Sequence, residues 1–297
     1  MFDFLSSVIR VKYELHTGWE LKGELFSNYG WYHLMWLGIM VVTTVLLCIF
    51  FARKHNKKID DRVIFSIGTL LLVIEIYKQI FYTIDAGHYQ WYAFPFQFCS
   101  VPMYVAFIAP LIKKESVKEA MYKFLAFFGF LAGFAVMLYP DSCLHTRFIT
   151  ILIHTMLWHT SMVVMGAYLI VSRGYGKNII KDVLPGSIVF AIILVVAVVA
   201  NIVAYKSYFG IPEKNIYNDT FFLMYISPYY SCPLPILSSI KEQVPYIVFL
   251  LAYLMAFVVG ISVMWLFVFG IKKLSSLSIS HCECKEKEVK NAKVEEC

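Results

Sequence analysis

Charge is scarce in this chain. Asp, Glu, Lys and Arg make up 15% of its 297 residues, and hydrophobic residues reach 60%. A soluble globular domain carries roughly 25% charged residues. So little charge cannot clothe a water-facing surface, which excludes soluble, disordered and fibrous classes. Seven cysteines in a chain of this length do not make a disulfide-built secreted scaffold. Also missing are a P-loop and the GxGxxG, HExxH and GxSxG patterns. No internal repeat of the kind that betrays many transporters is visible. What is left is apolar and aromatic sequence, with 25 Phe and 20 Tyr. It reads as an integral membrane protein.

A helix needs about 20 apolar residues to cross the hydrocarbon core. Seven stretches qualify, at roughly 29–52, 62–84, 95–112, 119–139, 147–172, 183–205 and 244–271. The expected fold is all-α: a transmembrane bundle of seven helices over 29–272, preceded by an extracellular segment 1–28 and followed by a disordered tail 273–297. The third span is the shortest, with Pro95 at its first turn. Basic residues set the sidedness. Arg53, Lys54, Lys57, Lys58 and Arg62 fall on one side, with Lys113, Lys114, Lys118, Lys123, Arg173, Lys177, Lys181 and the lysine-bearing tail. The positive-inside rule then puts the N-terminus outside and the C-terminus in the cytoplasm of a multi-pass plasma-membrane protein. The net charge of +6 is thus a matter of topology and implies no nucleic-acid partner.

The first 28 residues do not read as a cleavable signal, because Arg10, Lys12, Glu14, Glu20, Lys22 and Glu24 interrupt any apolar core. Phe2, Leu5 and Ile9 could line an interfacial helix; a solvated segment fits as well. Trp31 and Tyr32, Trp91 and Tyr92, and Tyr229 and Tyr230 cluster at outer ends as an aromatic belt. Gly129 and Gly133 form a GxxxG on the fourth span, a mark of close helix packing.

Function is announced by polar groups where lipid should be. The second span carries Glu75 and Lys78 on one face, about 15 and 10 Å from its outer end. They form either a neutral packing pair or part of a site. Cys99 lies about 6 Å below Pro95 on the third span. By itself it would be a small hydrophobe; as a nucleophile it needs a neighbouring base or cation. The fifth span offers two bases. His154 lies about 12 Å deep and His159 about 20 Å, on different faces. Depth alone pairs Cys99 with His154; tilt would allow His159. Gln97 and Asn201 are candidate oxyanion donors. Asn218 and Asp219 sit in the long loop from Lys206 to Val244, whose prolines suggest a lid or partly re-entrant cap. Cys143 and Cys232 fall on the same side and could pair. His281-Cys282-Glu283-Cys284 lacks the second ligand pair of a structural zinc site, so no metal is expected.

These residues resemble the YwaF-type bacterial membrane proteins, which are similar to the vertebrate transmembrane protein 164 acyltransferase family. The likeness rests on Glu75 and Lys78 in the second span and on Pro95-Phe96-Gln97-Phe98-Cys99. It extends to a histidine nine positions ahead of a tyrosine, here His159 and Tyr168, and to Asn218 followed by Phe221-Phe222-Leu223. Ser100 follows the cysteine, where the relatives tend to carry an acidic or small polar residue, so the resemblance leaves substrate preference open. The resemblance implies a cysteine-dependent phospholipid acyltransferase with Cys99 as nucleophile and His159, rather than His154, as base. Glu75 and Lys78 would orient the histidine or hold a head-group phosphate. The partners would be phospholipids or lysophospholipids, with no cofactor. Rival expectations are a lipid ester hydrolase on the same site, a proton or solute transporter lined by Glu75, Lys78 and the histidines, and a non-catalytic scaffold.

Overall fold

The computed structural model describes residues 26–52, 56–140, 144, 148–232 and 235–295, without the side chains of 235, 236 and 274–295. The expected N-terminal segment and Cys143 fall largely or wholly outside these residues. Among the described residues the fold is all-helical. Helix α1 spans Trp31–Phe50 and α2 Lys57–Ala86. The short α3, Val101–Ile108, runs into a 3-10 turn at Ala109–Leu111. Helix α4 covers Glu115–Leu138, α5 Ile149–Ser172 and α6 Ile179–Phe209. A short α7, Pro235–Gln243, precedes α8, Tyr246–Glu295. Six of these helices are long and apolar enough to cross a membrane.

The boundaries follow from local chemistry. Asn56 begins α2 by accepting from Lys58 N at 2.9 Å, and Asn178 caps α6 through Lys181 N at 3.0 Å. Gly87, at φ 74°, ends α2 in the left-handed conformation that glycine adopts without a Cβ penalty. Helix α4 widens into a π turn at Leu125–Gly129, whose five residues are all buried.

The third stretch is the main correction to the expected spans. Helix occupies only Val101–Leu111 of 95–112, and Pro102 rather than Pro95 takes the first turn. Residues 94–100 form turns because their backbone is spoken for elsewhere: Phe96 O accepts from Met224 N at 3.0 Å. A tertiary bond there overrides apolar periodicity. The chain still returns along the whole length of α2. Lys57 Nζ lies 2.5 Å from Glu115 Oε1 and Lys118 Nζ 2.6 Å from Asp61 Oδ2, so α4 starts where α2 starts. The backbone of the lysine- and glutamate-rich tail, expected to be disordered, continues α8. Its first turn needs no nucleation because the preceding helix supplies it.

Helix α5 is the hub, buried along most of its length against α1, α2 and α4. Glycines let the backbones close in. A Cβ on Gly133 would sit 2.8 Å from His159 O, and one on Gly68 would sit 2.6 Å from Phe107 N. Without a hydrophobic drive between helices in lipid, such contact is the means of association. Valines and isoleucines of α6 and α8, among them Val195, Val199, Val259 and Val263, stay exposed as an apolar exterior.

One end of the bundle is tied by a polar network that the sequence did not announce. Arg173 Nε lies 2.6 Å from Asp60 Oδ2, and Arg173 NH1 lies 2.6 Å from Glu119 Oε1. Tyr168 donates to Asp60 Oδ1 at 2.7 Å, Tyr122 to Asp61 Oδ1 at 2.5 Å and Tyr175 to Glu119 Oε2 at 2.6 Å. Burial and the Glu119 carboxylate push the Tyr175 hydroxyl above its ordinary value, so it stays a donor. The Asp60 and Arg173 side chains are 1% and 4% exposed. Removing one partner of such a pair strands the other without water. Arg173→Ala is therefore expected to cost about 3–5 kcal/mol, measured as a loss of unfolding free energy in detergent, with Arg173→Lys recovering only part of it.

Candidate functional site

The other end of the bundle holds a second group of buried polar side chains, and α2 supplies its centre. Glu75 is 2% exposed. Its Oε1 lies 2.7 Å from Lys78 Nζ and accepts from Gln79 Nε2 at 2.7 Å. Gln79 also donates to Ala93 O at 2.8 Å, which fastens α2 to the segment leading to Cys99. The helical spacing of 75, 78 and 79 puts all three on one face.

From α5 come the two histidines. His154 Nε2 stands 3.6 Å from Glu75 Oε2, and its ring stacks on Trp158 at 5.3 Å between centroids. Trp158 Nε1 donates to Cys99 O at 2.9 Å. His159 Nδ1 lies 2.8 Å from Thr155 O. A carbonyl only accepts, so Nδ1 carries the hydrogen and Nε2 keeps its lone pair. His33 serves otherwise: its ring bridges Tyr29 N and Met137 O, both within hydrogen-bond range, inside a fully buried contact.

Cys99 is half-buried on the turn before α3, packed beside Leu71, Met103, Ala132, Trp158 and Met162. Its Sγ lies 4.0 Å from Ser100 Oγ. No hydrogen bond joins the sulfur to either histidine among the described residues. The tie to His154 is indirect, through Trp158. Glu75, Lys78, His154, Trp158 and Cys99 are thus linked in one region, while the His159 ring bonds within its own helix.

Gln97 and Asn201 belong to a lid. Asn201 donates to Leu223 O at 3.1 Å and accepts from Leu223 N at 2.7 Å, using both ends of its amide. Gln97 Nε2 donates to Phe222 O at 2.7 Å, and Gln97 Oε1 has no partner. Tyr253 donates to Met224 O at 2.8 Å, and Tyr246 to Ile226 O. Leu223, Met224 and Ile226 are buried, with Met224 and Tyr225 in the left-handed region at φ 54° and 58°. The loop expected to form a lid or cap thus contributes a buried, irregular segment over Phe221–Ile226. Rings seal its edge: Phe221 stacks on Phe209 at 5.1 Å and meets Trp91 at 6.0 Å.

Asn218 is exposed in a turn at φ 53°. The residue that builds that turn is Asn215, which sequence reading passed over. It donates to Phe209 O at 3.2 Å and Asp219 O at 2.9 Å, and accepts from Asp219 N at 2.8 Å. Asp219 lies 3.6 Å from His88, whose ring stacks on Tyr217. Cys232 is buried beneath the lid; its suggested partner Cys143 lies outside the described residues. Trp158 was likewise missed, because nothing in a sequence distinguishes an indole that bonds a backbone carbonyl from one that packs. No cluster of metal ligands occurs among the described residues.

A sequence model of the TMEM164 family matches residues 28–241, most of the chain, and the chain belongs to that family. No curated protein and no solved structure matches it.

Truncating Asn201 would orphan a buried N–H and a buried C=O at once. Asn201→Ala is expected to cost about 2–4 kcal/mol and to open residues 211–232 to protease, followed by thermal unfolding and limited proteolysis in detergent.

Proposed function

For this multi-pass membrane protein of the TMEM164 family, we propose acyl transfer: a fatty acyl group moves between phospholipids or lysophospholipids through a thioester on Cys99, with His159 as base. The N-terminus faces outward in this reading, and the lid end of the bundle opens to the outer leaflet of the cell membrane. The observation that carries it is the setting of Cys99. It stands on a turn rather than inside a helix, next to a Gln97 that is bonded to the lid.

The chemistry follows from those parts. His159 Nε2 takes the thiol proton, and the thiolate attacks the ester carbonyl of a phospholipid. The departing alkoxide recovers the proton from the histidine, leaving an acyl thioester. A hydroxyl acceptor then receives the acyl group; water in its place makes the same site a hydrolase. Trp158 holds the cysteine backbone through Cys99 O, and the mechanism requires the sulfur to turn toward its base. Catalytic contacts commonly shorten only when substrate is bound.

Purified protein incubated with a labelled phospholipid should acquire a hydroxylamine-labile acyl adduct. Cys99→Ser should abolish it, and His159→Gln should slow it about 100-fold or more. An adduct that survives Cys99→Ser would sink the nucleophile.

A further inference from the structure

Glu75 and His154 form a polar pair that cysteine acylation leaves unused. Glu75 Oε1 is satisfied by Lys78 and Gln79. Glu75 Oε2 has no hydrogen-bond partner, and its 3.6 Å from His154 Nε2 is too long for one. Both ring nitrogens of His154 are also without a hydrogen-bond partner, although the residue is only 7% exposed. Buried polar atoms are ordinarily paired; Glu75 Oε2 and His154 Nε2 face each other across that 3.6 Å, so it is His154 Nδ1, with no partner at all, that points to a missing ligand. The pair stands one indole away from the nucleophile: His154 stacks on Trp158, and Trp158 bonds Cys99 O.

We infer that His154, oriented by Glu75, is the base that activates the acceptor hydroxyl in the second half of acyl transfer, while His159 serves Cys99 in the first. The inference rests on the acyl-transfer reading above and adds a division of labour between the two histidines. Glu75 Oε2 faces Nε2 and favours the tautomer that carries hydrogen there, leaving the Nδ1 lone pair to receive a proton. The ligand class is an alcohol, such as the free glycerol hydroxyl of a lysophospholipid. Its proton passes to His154 Nδ1 as its oxygen attacks the thioester carbonyl. The new C–O bond forms, the C–S bond breaks, and the leaving Cys99 thiolate takes the proton back from His154. Glu75 is a positioning residue in this scheme and Lys78 its counter-charge.

The test separates the two halves of the reaction in the full-length protein. His154→Gln is loaded with labelled phosphatidylcholine, and lysophosphatidylcholine is then added. The expected result is an adduct that forms within about threefold of the wild-type rate and then persists, its discharge slowed about 100-fold or more. Glu75→Gln should lower the maximal discharge rate about 10-fold or more without changing the acceptor concentration that gives half-maximal rate. Discharge of the His154→Gln adduct at the wild-type rate overturns the inference. So does failure of both His154→Gln and His154→Asn to form any adduct. A wild-type protein that forms no adduct removes the acyl-transfer reading itself, and this inference with it.

Discussion

The structure turns on a shortage of water. Where no solvent can satisfy an N–H or C=O, every backbone group off the helical pattern must find a protein partner. Two irregular segments, 94–100 and 221–226, solve this by pairing with each other. Phe96 O takes Met224 N, Gln97 takes Phe222 O, and Asn201 clasps Leu223 from both sides. Each segment is the other's solvent. Neither could be non-helical alone, and the non-helical turn is what displays Cys99.

Helix α5 joins this arrangement to the opposite end. Along one rod it carries His154, Trp158 and His159 near the lid, and Tyr168 at the Asp60–Arg173 network. Gly133 lets α4 press directly against the His159 carbonyl. The rod is thereby fixed at its far end by charge and in its middle by backbone contact. The histidines are presented from a rigid element, which suits groups that must act within a fraction of an ångström.

Much of this was legible in the sequence because lipid imposes strong patterns. Long apolar runs gave the six long helices, the glycine pair gave close packing on α4, and the proline-bearing loop pointed to a lid. Intramembrane Glu75, Lys78, Cys99, His154 and His159 were found by asking which residues are out of place. What escaped were relations across the fold. Asp60, which sequence reading passed over, is buried against Arg173, far along the chain. The third stretch looked helical because hydropathy does not reveal that Phe96 O will be claimed by Met224. Asn201 and Gln97 were read as donors to a reacting oxygen, when their amides are committed to the lid.

That mutual pairing also decides who can enter. Lifting residues 222–224 leaves Phe96 O without its donor, beside a Gln97 Oε1 that never had one. The doorway so exposed carries hydrogens as well as lone pairs, because Gln97, Asn201 and Tyr253 lose their acceptors in the same step. Hydrocarbon gains nothing at such a threshold. An ester carbonyl or a hydroxyl can replace what the lid withdrew, so the doorway discriminates polar guests from apolar ones before any chemistry begins.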